Sequence, residues 1–152
     1  MAREKQYEND YKEFIELLNK HGVEYLIIGA YAVMFHTNIA RETKDIDFWI
    51  NRTKENAEKC ARAIKEFAGL DVTSDDLLDK DQIFFIGVEP YRIDLFNEQN
   101  GFSFYDAYAK RKEGKFRNVK AIFISKKDLL AIKEHFYRKD DMKDIKRLNK
   151  AE

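Results

Sequence analysis

The sequence predicts an α/β fold, a mixed, twisted sheet of about four or five strands backed by helices. Three observations carry that prediction. Short apolar runs bounded by turn residues alternate with longer segments whose apolar residues recur at helical spacing. The length, 152 residues, is enough to bury a core without disulfides and suits a single domain over 1–152. Finally, two aspartates one residue apart, Asp45 and Asp47, stand inside an apolar, strand-like run, where aspartate is normally depleted.

Tyr7, Tyr11, Phe14, Leu17 and Leu18 recur at helical spacing and predict an amphipathic helix over 5–20, stopped near His21-Gly22. A first strand follows at 24–28. Gly29-Ala30 turns the chain into a short helix through Ala32, Val33 and Phe35, ending at 36–38. The strand at 45–50 is expected beside the first. Ala57, Cys60, Ala61, Ile64 and Phe67 mark one face of a helix over 54–68, closed by Gly69. Past an acidic loop at 75–81, the runs 82–87 and 91–96 read as a hairpin across Val88-Glu89-Pro90. A short helix over 102–111 and a strand over 119–124 come next. Ser125, with Asp128 three residues on, resembles an N-cap and opens a helix through Phe136; a last helix runs over 140–148.

Composition excludes several classes of function. One cysteine, Cys60, rules out an intramolecular disulfide, and its place on an apolar helix stripe makes it a buried, inert thiol. The first ten residues lack the apolar run of a signal peptide, and no stretch approaches transmembrane length, so no membrane role and a cytoplasmic location are expected. His21, His36 and His135 have no metal-ligand spacing, and there is no Walker loop or Gly-rich dinucleotide fingerprint. Net charge is zero, yet residues 1–109 carry 13 basic and 21 acidic side chains (−8), and residues 110–150 carry 15 and 6 (+9). The basic segment is suited to triphosphate or RNA, or equally to solvated helix faces.

In an extended strand residues i and i+2 share a face, so Asp45 and Asp47 converge while Ile46, Phe48 and Ile50 pack behind them. Asp94 sits in a run of the same character, between Ile93 and Leu95. If that strand lies beside the first aspartate strand, three carboxylates gather on one surface. Oxygen-only ligation of that kind suits Mg²⁺ or Mn²⁺. Two such ions would activate a hydroxyl and stabilise a leaving pyrophosphate. Gly29 and Ala30, at a strand-to-helix turn, let backbone N–H groups approach phosphate. Arg41, Lys44 and Lys133 are candidate phosphate-neutralising cations, Lys133 alternatively lying on a solvated helix face. Trp49, on the aspartate side, either packs in the core or stacks on a base.

The run Ile28-Gly29-Ala30, then Asp45-Ile46-Asp47, then Asp94 in a later strand resembles the DNA polymerase β nucleotidyltransferase superfamily. More narrowly, Arg41-Glu42-Thr43-Lys44-Asp45-Ile46-Asp47, with Lys133 and Asp141-Met142-Lys143-Asp144, is similar to small bacterial nucleotidyltransferase-like proteins related to abortive-infection toxins. The resemblance covers about 10–150. It implies the nucleotidyltransferase fold and transfer of a nucleoside monophosphate from a nucleoside triphosphate to an acceptor hydroxyl on RNA or tRNA, a protein or a small molecule. Asp45, Asp47 and Asp94 would be catalytic metal ligands, and Gly29, Ala30, Arg41 and Lys133 would bind the nucleotide. It also implies an alternative, a catalytically silent relative that binds nucleotide, RNA or a toxin–antitoxin partner. Ala30 departs from the pattern, which has Gly or Ser there. Asp141 and Asp144 read more simply as acids in the first turn of a helix.

Overall fold

The computed structural model describes residues 6–151; the predicted helix start at residue 5 and the first residues on which the leader reading rests lie outside them. Helix α1 (Gln6–Lys20) buries Tyr11, Phe14, Leu17 and Leu18 of its expected apolar stripe, and Ile15 beside them. Strand β1 (Tyr25–Ile28) is buried along its whole length. Gly29, at φ +69°, converts it into helix α2 (Gly29–Thr37) with no intervening loop. Strand β2 (Asp45–Ile50) precedes α3 (Lys54–Ala68), which is capped by the Thr53 side chain accepting from the Asn56 amide and ends at Gly69. These elements fall where the spacing places them.

The acidic stretch expected to be a loop contains a short helix, α4 (Ser74–Leu78). Thr73 and Asp76 form a capping box at its start, so the loop expectation is corrected by a local signal. The predicted hairpin is β3 (Phe84–Ile86) and β4 (Arg92–Phe96). Helix α5 (Phe104–Ala109) leads into β5 (Lys112–Phe116) and β6 (Val119–Phe123), then α6 (Lys126–Phe136) and α7 (Lys139–Lys150). Strand β5 is the sixth strand, one more than expected.

The sheet order is β3-β4-β2-β1-β6-β5. Its centre is mixed, since β1 runs antiparallel to β2, while β2 with β4 and β1 with β6 are parallel. Neighbouring strand residues face opposite sides, and both sides are covered. Phe48 meets Phe14 of α1 edge-on at 5.4 Å, and Phe14 meets Phe67 of α3 at 5.2 Å. On the other side Trp49 meets Phe104 of α5 at 5.3 Å and is 1% exposed. Trp49 is therefore core, and a base-stacking role for it is excluded. Among the described residues no helix is long and apolar enough to cross a membrane.

Candidate active site

Parallel pairing of β2 with β4 sets Asp47 opposite Asp94 and Asp45 opposite Arg92. The three aspartates therefore share one face, and one carboxylate oxygen from each lies within 4.8 Å of the others. On the other flank β1 sets Ile28 opposite Asp47, which brings the Gly29 turn directly against the carboxylate. A Cβ at Gly29 would lie 2.3 Å from Asp47 Oδ2. The glycine expected to admit a ligand thus also admits Asp47, and its positive φ adds a second reason for glycine. Thr43 braces Asp45 by donating its hydroxyl to the Asp45 carbonyl at 3.0 Å.

Electrostatics follow from this crowding. Burial, and then the Asp45 and Asp94 charges, hold Asp47 well above the usual carboxylate range. Burial and Asp94 raise Asp45 as well, with Arg92 working in the opposite direction. Asp47 Oδ1 is buried and has no hydrogen-bond partner. An all-oxygen donor set with converging, half-desolvated carboxylates and an unpartnered oxygen fits a hard divalent cation such as Mg²⁺ or Mn²⁺.

Arg92 was not foreseen. Its guanidinium grips Asp94 with two bonds, Nε to Oδ1 at 2.6 Å and Nη2 to Oδ2 at 3.0 Å, and Nη2 is 3.6 Å from Asp45 Oδ2. The Phe85 ring lies 4.0 Å beneath it. Its signal was available in Arg92-Ile93-Asp94, an i, i+2 pair on the carboxylate face.

A cleft of about 1130 Å³ opens over the site. Gly29, Ala30, Asp45 and Asp47 line it, as do Arg41, Lys44, Lys133 and Lys139. Asp94 lies outside the lining and is 3% exposed. Of the seven residues that the resemblance assigns to metal or nucleotide, six thus border one cavity, with Asp94 outside its lining.

Two of those candidates are engaged elsewhere. Arg41 Nε pairs with Asp144 Oδ1 at 2.8 Å, and Lys133 Nζ lies 2.9 Å from Asp144 Oδ2 and 3.2 Å from Asp141 Oδ1. Asp144 is fully buried. Burial alone would raise its pKa, but the hydrogen bond and charge of Lys133, followed by Arg41, outweigh burial and hold it below the ordinary value. Lys133 is therefore not on a solvated face; it is a buried partner of α7 that borders the cleft. Asp141 is in the first turn of α7 but Asp144 lies beyond it, and together they bind the connection at 38–44 and α6 to α7. The exposed cations on the cleft are Lys44, Arg138 and Lys139, with Arg138 also 3.5 Å from Asp141 Oδ2. Lys139 had no local signal to separate it from the surrounding basic residues. Cys60 is buried, with its thiol pushed up to about 12 by burial, which agrees with an inert role.

Residues 7–152 match the model of a family described as "Nucleotidyl transferase of unknown function (DUF2204)". Among solved structures the chain is similar to an antigenic nucleotidyltransferase-like protein from Paracoccidioides brasiliensis, with a TM-score of 0.58 and 12% sequence identity over 93% of this chain and 74% of that one. At that identity the likeness is one of fold. No curated protein matches the chain.

Proposed function

Because this chain belongs to the family of nucleotidyl transferases of unknown function (DUF2204), we propose that it transfers a nucleoside monophosphate from a nucleoside triphosphate to an acceptor hydroxyl, with release of pyrophosphate. The observation that carries this reading is the buried, unpartnered Asp47 oxygen within a three-carboxylate cluster at the floor of a cleft. Asp45, Asp47 and Asp94 would hold Mg²⁺ or Mn²⁺, which when bound supplies Lewis-acid stabilisation of phosphoryl and pyrophosphate charge. The Gly29-Ala30 turn presents backbone N–H groups at the start of α2 to the triphosphate. Lys44 and Lys139 neutralise its charge from the cleft walls. Arg41 and Lys133, initially assigned to phosphate, act as positioning residues that fix those walls through Asp144. Asp94 completes the site as a ligand or, freed of Arg92, as general base for the acceptor hydroxyl.

The test is transfer of labelled nucleotide with Mg²⁺ to RNA, protein and small-molecule acceptors, with Asp47→Asn alongside. Label transfer by the parent alone supports the assignment. Equal transfer by both proteins sinks it.

A second reading has its own support. Arg92 occupies both oxygens of Asp94, and Ala30 offers no hydroxyl to phosphate, which favours a silent relative that binds nucleotide, RNA or a partner protein as in a toxin–antitoxin pair. Calorimetry with ATP and CTP separates the two: tight, metal-dependent binding without turnover selects the silent protein.

A further inference from the structure

We propose that Arg92 is a resident counter-ion that competes with divalent metal for the carboxylate centre. This rests on the reading that Asp45, Asp47 and Asp94 bind such an ion. The guanidinium uses both Asp94 oxygens and stands 3.6 Å from Asp45, so one cation already bridges two of the three proposed ligands. A metal that takes an Asp94 oxygen must take it from Arg92. Charge-assisted, bidentate Arg–carboxylate bonds are among the stronger polar contacts, and their loss subtracts directly from metal affinity.

The surroundings allow that exchange. Arg92's backbone is held on both sides: its amide donates to the Lys44 carbonyl at 3.4 Å, and its carbonyl accepts from the Tyr11 hydroxyl at 3.3 Å. Only the side chain is free to leave. It lies at the margin of the centre, 25% exposed, over the Phe85 ring, which is itself 46% exposed. A guanidinium released from Asp94 keeps this aromatic partner and gains water, so leaving does not strand the charge. Asp47 stays outside the clamp: its Oδ1 is buried without a hydrogen-bond partner, and the residue borders the cleft, as Asp94 does not. Entry is therefore staged, with Asp47 and Asp45 engaged before Asp94 is won from Arg92. The arrangement also offsets part of the repulsion between Asp45 and Asp94 when metal is scarce, and makes Asp94 the conditional ligand.

Mn²⁺ titration followed by electron paramagnetic resonance, on the parent, Arg92→Gln and Arg92→Lys, tests this. Gln removes the charge, and Lys keeps it but cannot form the two-bonded fork. The expected order of affinity is Gln, then Lys, then parent, with Arg92→Gln about tenfold tighter than the parent. Thermal melting gives a second readout: in EDTA Arg92→Gln melts below the parent, and saturating Mn²⁺ raises its Tm by more than it raises the parent's. Should Arg92→Gln fail to fold, the Lys variant decides by the same two measurements. Unchanged or weaker Mn²⁺ affinity in the variants, with a parent that binds, overturns the competition and leaves the metal site standing. Absence of Mn²⁺ binding in all three removes the metal site and this inference together.

Discussion

Replacing Gly29 with alanine strikes the junction on which the site is built. Two costs add at that position. An L-residue in left-handed backbone costs about 1–2 kcal/mol, and Gly29 has φ +69°. The new Cβ would also stand 2.3 Å from Asp47 Oδ2, and forcing a carboxylate out of a packed position costs roughly 1–3 kcal/mol. The total is roughly 2–5 kcal/mol, which for a chain of this size lowers Tm by roughly 4–20 °C. Gly69→Ala is the internal control, because Gly69 has φ +71° but nothing within 4 Å of its Cβ position. It should lose only the backbone part, about 1–2 kcal/mol. The excess at Gly29 belongs to Asp47 and is isolated by a double-mutant cycle. In an Asp47→Ala background, Gly29→Ala should cost about 1–3 kcal/mol less than in the parent. Urea denaturation of the four proteins measures the coupling, and Mn²⁺ affinity should fall in Gly29→Ala as its ligand is displaced. A coupling within about 0.5 kcal/mol of zero, or equal losses for Gly29→Ala and Gly69→Ala, would refute the close approach of turn and carboxylate.

Other outcomes follow from the same geometry. Asp47→Asn should stabilise the protein in EDTA at neutral pH by about 1–3 kcal/mol, since an amide has donors for Asp45 and Asp94 where the carboxylate has only repulsion. The raised carboxyl destabilises the fold once ionised, so the advantage of Asn is full above the folded pKa and fades as pH falls toward about 4, the unfolded value. Asp144→Asn should cost about 1.5–3 kcal/mol at pH 7 by leaving buried Lys133 with Asp141 as its one remaining carboxylate and taking the charged partner from Arg41. Because Asp144 is held below its ordinary pKa, that stabilisation is present above the unfolded value and lost as pH falls through the folded one; denaturation curves of the two proteins should converge in acid. Asn56→Ala should cost roughly 2–3 kcal/mol, seen as a lower urea midpoint at unchanged slope. The Asn56 side chain accepts from the Glu24 amide at 2.7 Å and donates to the Glu24 and Asn51 carbonyls at 3.0 and 2.9 Å.

The elements missed by periodicity have physical reasons. Strand β5, Lys112-Glu113-Gly114-Lys115-Phe116, is an edge strand that buries only Phe116. Charged edges discourage unwanted pairing, so such a strand carries almost no apolar alternation to detect. Helix α4 is too short to show a helical period, and its signal lies in the Thr73-x-x-Asp76 box instead. Trp49 shows the limit of alternation: it shares a face with Asp45 and Asp47, but two residues further along the strand that face is roofed by α5 through Phe104.

Local covalent geometry made much of this protein legible from its residues alone. A strand repeats every two residues, so Asp45 and Asp47 had to share a face; a glycine after an apolar run marks a turn; and apolar spacing of 3 and 4 marks the helices. What only tertiary structure decided is which charges meet. Lys133 and Asp144 stand on different helices, and Arg41 comes from a connection 103 residues away from Asp144. Whether a cation faces a cleft or a buried carboxylate depends on how those elements pack. Coulombic pairing and desolvation act through space, over a few ångströms, and chain periodicity carries no record of that distance.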